Sequence, residues 1–101
     1  MFAVTRNYTG ASALMDAMEK RQNEVEQLIT TVPGFVSYFA IRAGDSMTSI
    51  TVCDDRKGVE ETTRRAAQWV RENLKDVKIA PPTVTTGEVF ISFLRSGVGH
   101  A

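Results

Sequence analysis

The sequence predicts an α+β domain in which a four-stranded antiparallel sheet carries two helices on one face. Three observations predict it. The junction Thr31-Val32-Pro33-Gly34-Phe35 ends a long amphipathic stretch and opens an alternating one within five positions. Four stretches alternate with the period of a strand, and two carry apolar residues at helical spacing. In each strand both alternating sets contain apolar or aromatic residues, so the sheet is apolar on two sides.

The elements follow in order. Phe2 to Tyr8 reads as the first strand, with Phe2, Val4, Arg6 and Tyr8 on one face and Ala3, Thr5 and Asn7 on the other. Thr9-Gly10 turns the chain, and Thr9 or Ser12 caps a helix running to about Thr31. Leu14, Met18, Val25, Leu28 and Val32 form its apolar stripe, which Arg21 and Gln22 interrupt. Pro33 removes a backbone donor and disfavours helical geometry at Val32. Gly34 takes the turn that redirects the chain. The second strand places Phe35, Ser37, Phe39 and Ile41 on one face and Val36, Tyr38 and Ala40 on the other. Ala43-Gly44-Asp45-Ser46 has hairpin composition.

The third strand sets Met47, Ser49, Thr51 and Cys53 against Thr48, Ile50 and Val52. Asp54 or Asp55 caps the second helix, whose inner side holds Val59, Thr63, Ala66, Val70 and Val77. Ile79-Ala80-Pro81-Pro82 is a connector, because two prolines neither continue a helix nor enter a central strand. The last strand is expected over Val84 to Leu94. The domain is expected over 1–95 and a flexible C-terminal tail over 96–101. The order is βαββαβ, the ferredoxin-like split pattern. Because the helices cover one face of an apolar sheet, the other face is expected to meet a second copy in a homodimer.

Composition narrows the function classes. The chain has 101 residues, 12 basic and 12 acidic, and lacks the basic excess that marks a nucleic-acid partner. No apolar run approaches the ~20 residues that span a bilayer, so no membrane partner is expected. One cysteine, Cys53, forms no internal disulfide, and the expected compartment is cytoplasmic. Cys53 has no nearby histidine to activate it. Asp54-Asp55 reads as capping rather than metal binding, and no His/Cys/Glu cluster is present. No metal and no cofactor are expected.

With the βαββαβ order in place, the chain resembles the antibiotic biosynthesis monooxygenase-like family of the dimeric α+β barrel superfamily. The resemblance spans about residues 2 to 94. It rests on the element order, on Val32-Pro33-Gly34-Phe35 before the second strand, and on Asp54-Asp55 before the second helix. It implies a barrel formed by two sheets across a dimer, with a ligand cavity between each sheet and its own helices. Heme-degrading members carry a histidine late in the second helix. Here the only histidine is His100 in the tail, so the resemblance does not extend to heme degradation. The quinone-forming members hold a phenolate with Asn, Trp, Tyr and Arg side chains. By that resemblance Asn7, Trp69, Asn73 and Tyr38 are the candidate ligand-binding residues, with Arg6 beside them.

Each candidate also has a plainer role. Asn7 can bond the Thr9-Gly10 turn. Trp69 can pack against the first helix, with Asn73 bonding near the end of the second and lying towards the buried side. Arg6 can pair with an acid such as Glu88. Ala3, Thr5 and Ala66 are small enough to leave a cavity between sheet and helices. Two functions are therefore carried forward: a cofactor-independent monooxygenase acting on a small aromatic or phenolic compound, and a non-catalytic small-molecule-binding or structural dimer.

Overall fold

Pro33 and Gly34 act as their chemistry requires. In the computed structural model, which describes residues 1–95, the helix stops before Pro33 and the Phe35 N–H closes the turn on the Val32 carbonyl at 3.1 Å. Gly34 has φ of 84°, a conformation side chains rarely adopt. Its carbonyl accepts from the Asp54 N–H at 2.8 Å, which ties the start of one strand to the end of another. The tail expected over 96–101, with His100, lies outside the described residues.

The element order is β1 (Phe2–Tyr8), α1 (Ser12–Lys20), α2 (Gln22–Thr30), β2 (Phe35–Ala43), β3 (Ser46–Cys53), α3 (Arg56–Asn73) and β4 (Thr83–Glu88). The strands form one antiparallel sheet in the order β2-β3-β1-β4. This is the ferredoxin-like α+β architecture, with the helices on one face. No helix among the described residues is long and apolar enough to cross a membrane.

Three expectations are corrected. The first helix is two, because Arg21 leaves helical geometry (φ −122°, ψ 39°) and serves as the last cap of α1 and the first of α2. The position that interrupts the apolar stripe is thus the position that breaks the helix. In β2 a bulge between Phe35 and Ser37 moves Phe35 to the face of Tyr38, opposite Phe39 and Ile41. The last strand ends at Glu88 rather than Leu94. Glu88 pairs with Phe2, the first residue of β1, and Val89 makes one more bond to the Met1 carbonyl at 3.0 Å. Phe90 to Leu94 alternate but make no ladder pairs with β1.

Register assigns the two faces. Val4, Arg6 and Tyr8 of β1 and Met47, Ser49, Thr51 and Cys53 of β3 are buried beneath the helices. Tyr8, Ala11, Leu14, Met15, Met47 and Trp69 form one core cluster, and Val4, Cys53 and Val59 a second. The open face carries rows such as Phe39–Ile50–Thr5–Thr85 and Ile41–Thr48–Asn7–Thr83. Phe39 is 62% exposed there and Ile41 49%. Ala3 and Thr5 therefore face away from the helices and open no cavity beneath them.

Asp55 is the cap of α3, accepting from the Gly58 N–H at 2.9 Å. Gly58 sits so close to β3 that a Cβ there would stand 2.8 Å from the Cys53 Cβ. This approach brings Thr62 and Thr63, one turn further on, over the sheet.

Candidate functional site

Strand β2 is one edge of the sheet, and the α1–α2 pair leaves a gap beside it. The gap is a cleft of about 690 Å³. Met15, Met18, Ile29, Phe35 and Met47 supply much of its apolar wall, and Tyr38 lies on the strand side. Its rim is polar, with Glu19, Glu26 and Arg42. Arg42 pairs with Glu19 and also reaches the Met15 sulfur at 3.4 Å. A volume of this size is typical of sites that enclose a small organic ligand.

Deeper in the fold a second void of about 30 Å³ lies among Arg6, Tyr8, Tyr38, Ser49, Ala66 and Trp69. Tyr38, Met18, Val25, Ile29 and Met47 line both spaces, so the small void adjoins the inner end of the cleft. It has room for about one water molecule.

Arg6 dominates the electrostatics. Its side chain is buried, with 2% of the residue exposed, yet it pairs with no carboxylate among the described residues. The expected pairing with Glu88 does not form: Arg6 lies opposite Val84 in the ladder, whereas Glu88 lies opposite Phe2 at the far end of β1. Hydroxyls surround the guanidinium instead. Nε donates to Thr63, Nη1 to Ser49 and Thr51, and Nη2 to Thr62 and Thr63, at 2.7 to 3.2 Å. All five N–H groups are used, and the charge itself is left without a counter-ion. Burial pushes the Arg6 pKa down, offset in part by Tyr8, Tyr38 and Cys53. Burial likewise pushes the Tyr8 and Tyr38 phenols up, with Arg6 opposing, so both keep their protons at neutral pH.

The four sequence candidates separate. Tyr38 lines the cleft and the void. Trp69 lines the void, and its Nε1 donates to Glu24 at 3.1 Å. Asn73 lies at the end of α3, where its Nδ2 donates to the Trp69 carbonyl at 2.9 Å and its Oδ1 accepts from Arg21. It is half-buried while Trp69 is buried, the reverse of the helical projection. Its bonds tether the α1–α2 break. Asn7 stands exposed on the opposite face of the sheet, in a row with Thr48 and Thr83.

Sequence reasoning missed the hydroxyl cage of Ser49, Thr51, Thr62 and Thr63. Its signal was present: Ser49 and Thr51 share an alternating set with buried Met47 and Cys53, where a lone polar pair needs a polar partner. Cys53 is buried, and its thiol is pushed up first by burial and then by Asp55 and Asp54, which disfavours a thiolate. Among the described residues, no group of three or more His, Cys, Asp and Glu side chains gathers as a metal site.

No family model matches this chain, and no curated protein does. Solved structures do. A protein of unknown function from Nitrosomonas europaea, NE2512, aligns with a TM-score of 0.70 at 17% identity, over 95% of each chain. A monooxygenase from the gene ActVA-Orf6 of Streptomyces coelicolor, in complex with nanaomycin D, aligns at 0.67 and 19%, over 94% of this chain and 92% of that one. A dimeric ferredoxin-like protein from an uncultured marine organism aligns at 0.70 and 11%, over 93% and 98%. Antibiotic biosynthesis monooxygenase-like proteins are thus among the structural neighbours, as the resemblance read from the sequence implied. At these identities the likeness defines the fold.

Proposed function

We propose that the protein binds a small aromatic or phenolic compound in the cleft between α1–α2 and β2, and oxidises it as a cofactor-independent monooxygenase. The observation that carries this reading is the cleft itself: about 690 Å³, apolar along its walls, polar at its rim and adjoining, at Tyr38, a small void with polar lining. A flat aromatic body fits the methionine and phenylalanine walls, which adapt to its outline. Tyr38 supplies a hydroxyl at the inner end, and Trp69 backs the void behind it. The structural neighbour from Streptomyces coelicolor, a monooxygenase holding nanaomycin D, supports the ligand class.

In such a reaction an activated ring CH₂ and O₂ give a ring carbonyl and water. The substrate carbon supplies all the electrons, so no reductant is needed. The role of this chain is to orient the ring and exclude water from the reacting carbon.

The proposed assembly is a homodimer through the open sheet face. Phe39, Ile41, Ile50 and Val52 lie together on that face, and a dimeric protein shares the fold. Exposed Phe90, Phe93 and Leu94 add apolar surface at the end of the same sheet.

The second reading is a non-catalytic binding protein using the same cleft. It is favoured by the structural bonds of Trp69 and Asn73, which leave Tyr38 as the cleft-facing member of the four candidates. Oxygen consumption with 1,8-dihydroxyanthrone separates the two. Quinone formation matching oxygen uptake supports the monooxygenase. Saturable binding without uptake supports the binding protein, and neither binding nor uptake contradicts both.

A further inference from the structure

The α1–α2 pair is fastened unevenly on its two sides. Towards α3 it has four polar ties. Arg21 donates to Asn73 Oδ1, Trp69 Nε1 donates to Glu24 at 3.1 Å, and Arg65 donates to the Leu28 carbonyl at 3.0 Å and to the Thr31 hydroxyl at 2.9 Å. Towards β2, across the cleft, Arg42 alone supplies side-chain hydrogen bonds among the described residues. Its Nη2 donates to Glu19, and its Nε lies 3.4 Å from the Met15 sulfur. Both partners stand on α1 and both line the cleft. The Arg42 and Glu19 side chains are 54% and 57% exposed. One long side chain therefore bridges the gap from strand to helix, in water rather than in the core.

We propose that Arg42 is a strap across the cleft, released from Glu19 to admit an aromatic ligand and drawn back to hold it. This rests on the cleft being a ligand site. Two movements widen the cleft. Swinging α1–α2 away from β2 strains the ties to α3 together, including that of the buried Trp69 indole. Releasing Arg42 breaks one exposed ion pair, which adds little to stability, and one contact to sulfur, a weak acceptor. The freed guanidinium returns to water while its stem stays on the strand. The side chain is therefore the moving part and the helices are the fixed frame. The pair forms whether or not the cleft is filled, so the strap acts on the rates of entry and exit rather than on affinity. Salt screens the pair and loosens it.

The strap is tested without a ligand and with one. Without a ligand, ¹⁵N relaxation at Arg42 Nε is expected to show an ordered side chain in the parent. In Glu19→Gln it is expected to become as mobile as Arg71, which is exposed on α3. With a ligand, stopped-flow mixing with 1,8-dihydroxyanthraquinone is followed by quenching of Trp69, the single tryptophan. Glu19→Gln and Arg42→Gln are each expected to raise the association and dissociation rates together by about two- to fivefold, the range an exposed ion pair supports. The dissociation constant is expected to shift less than either rate. Glu26→Gln removes a carboxylate from the same rim without touching the strap, and is expected to change the rates by less than half as much. Reversal of the pair, Glu19→Arg with Arg42→Glu, is expected to restore slow exchange. An Arg42 as mobile as Arg71 in the parent, rates unmoved by Glu19→Gln, or equal effects of Glu26→Gln overturns the strap alone. No saturable binding of the quinone removes the cleft as a ligand site, and the strap with it.

Discussion

The guanidinium of Arg6 donates to the hydroxyl of Thr62 at 2.7 Å, joining β1 to α3 across 56 positions of sequence. The bond is one of five from a single buried cation to four hydroxyls, two on β3 and two on α3. It places the helix over the sheet by polar contact where an apolar core would do so by packing alone.

This geometry is specific to arginine. Arg6→Lys keeps the charge but offers three rotatable donors in place of five in a planar fork. Some of the cage loses its partner, and a compact ammonium is buried instead. The expected cost is about 1–3 kcal/mol, measured by urea denaturation. A lysine variant as stable as the parent would contradict the cage as a positioning device.

Gly58 makes a prediction of opposite intuition. Alanine in a helix normally stabilises by about 1 kcal/mol over glycine. Here its Cβ would stand 2.8 Å from the Cys53 Cβ, closer than packed carbons tolerate. Gly58→Ala is expected to destabilise by a net of about 1–2 kcal/mol, because α3 must lift from β3. An unchanged or higher melting temperature would contradict the close approach.

Glu61 gives a pH dependence with a defined sign. Hydrogen bonds from Arg64 and then Arg65 hold its carboxyl at about 2, below the ordinary 4.5. The unfolded chain therefore binds more protons between these values, and stability rises with pH across them. The contribution is complete above the ordinary value and lost as pH falls through about 2. A Glu61→Gln variant is expected to be less stable than the parent at neutral pH, with the gap closing in that acid window. Carboxyl NMR titration checks it directly; an ordinary midpoint would contradict the pairing.

Arg65 also donates to the Leu28 carbonyl and the Thr31 hydroxyl, at 3.0 and 2.9 Å, fastening α3 to the end of α2. Arg64 makes only contacts within α3. Arg65→Ala is thus expected to destabilise by about 1–2 kcal/mol and Arg64→Ala by less than half of that. Equal losses would remove the interhelical role of Arg65.

The open face is tested by size. Sedimentation equilibrium at micromolar concentration is expected to give twice the chain mass, and Phe39→Asp to give the monomer with its helix and strand content intact. A monomeric parent would contradict the dimer.

Much of the fold was legible because its signals are local. Pro33, Gly34 and Asp55 fix element ends by backbone chemistry, and alternation fixed the faces of β1 and β3. What was not legible depended on neighbours. The end of β4 is set by where β1 begins, which Val89 to Leu94 do not reveal. The bulge in β2 exchanges the face of Phe35 at Val36, a residue type that belongs in a regular strand as readily as in a bulge. Within the site, Tyr38 and Trp69 are brought together and Asn7 is sent to the other face, because a single step in strand parity decides the matter. Arg6 was visible as a charge in an apolar strand, but its partners come from β3 and α3, at separations of 43 to 57 residues.

The cleft is the central claim, and the methionines test it most directly. Of the four in the chain, Met15, Met18 and Met47 line the cleft, while Met1 is 48% exposed just before β1 and outside its lining. Titration of protein labelled with ¹³C at the methionine methyls with 1,8-dihydroxyanthrone under anaerobic conditions, or with its quinone, gives four reporters. The account predicts saturable shifts of the three cleft methyls with Met1 unmoved. Saturable shifts confined to Met1, or no shift of the cleft methyls with either compound, would contradict it.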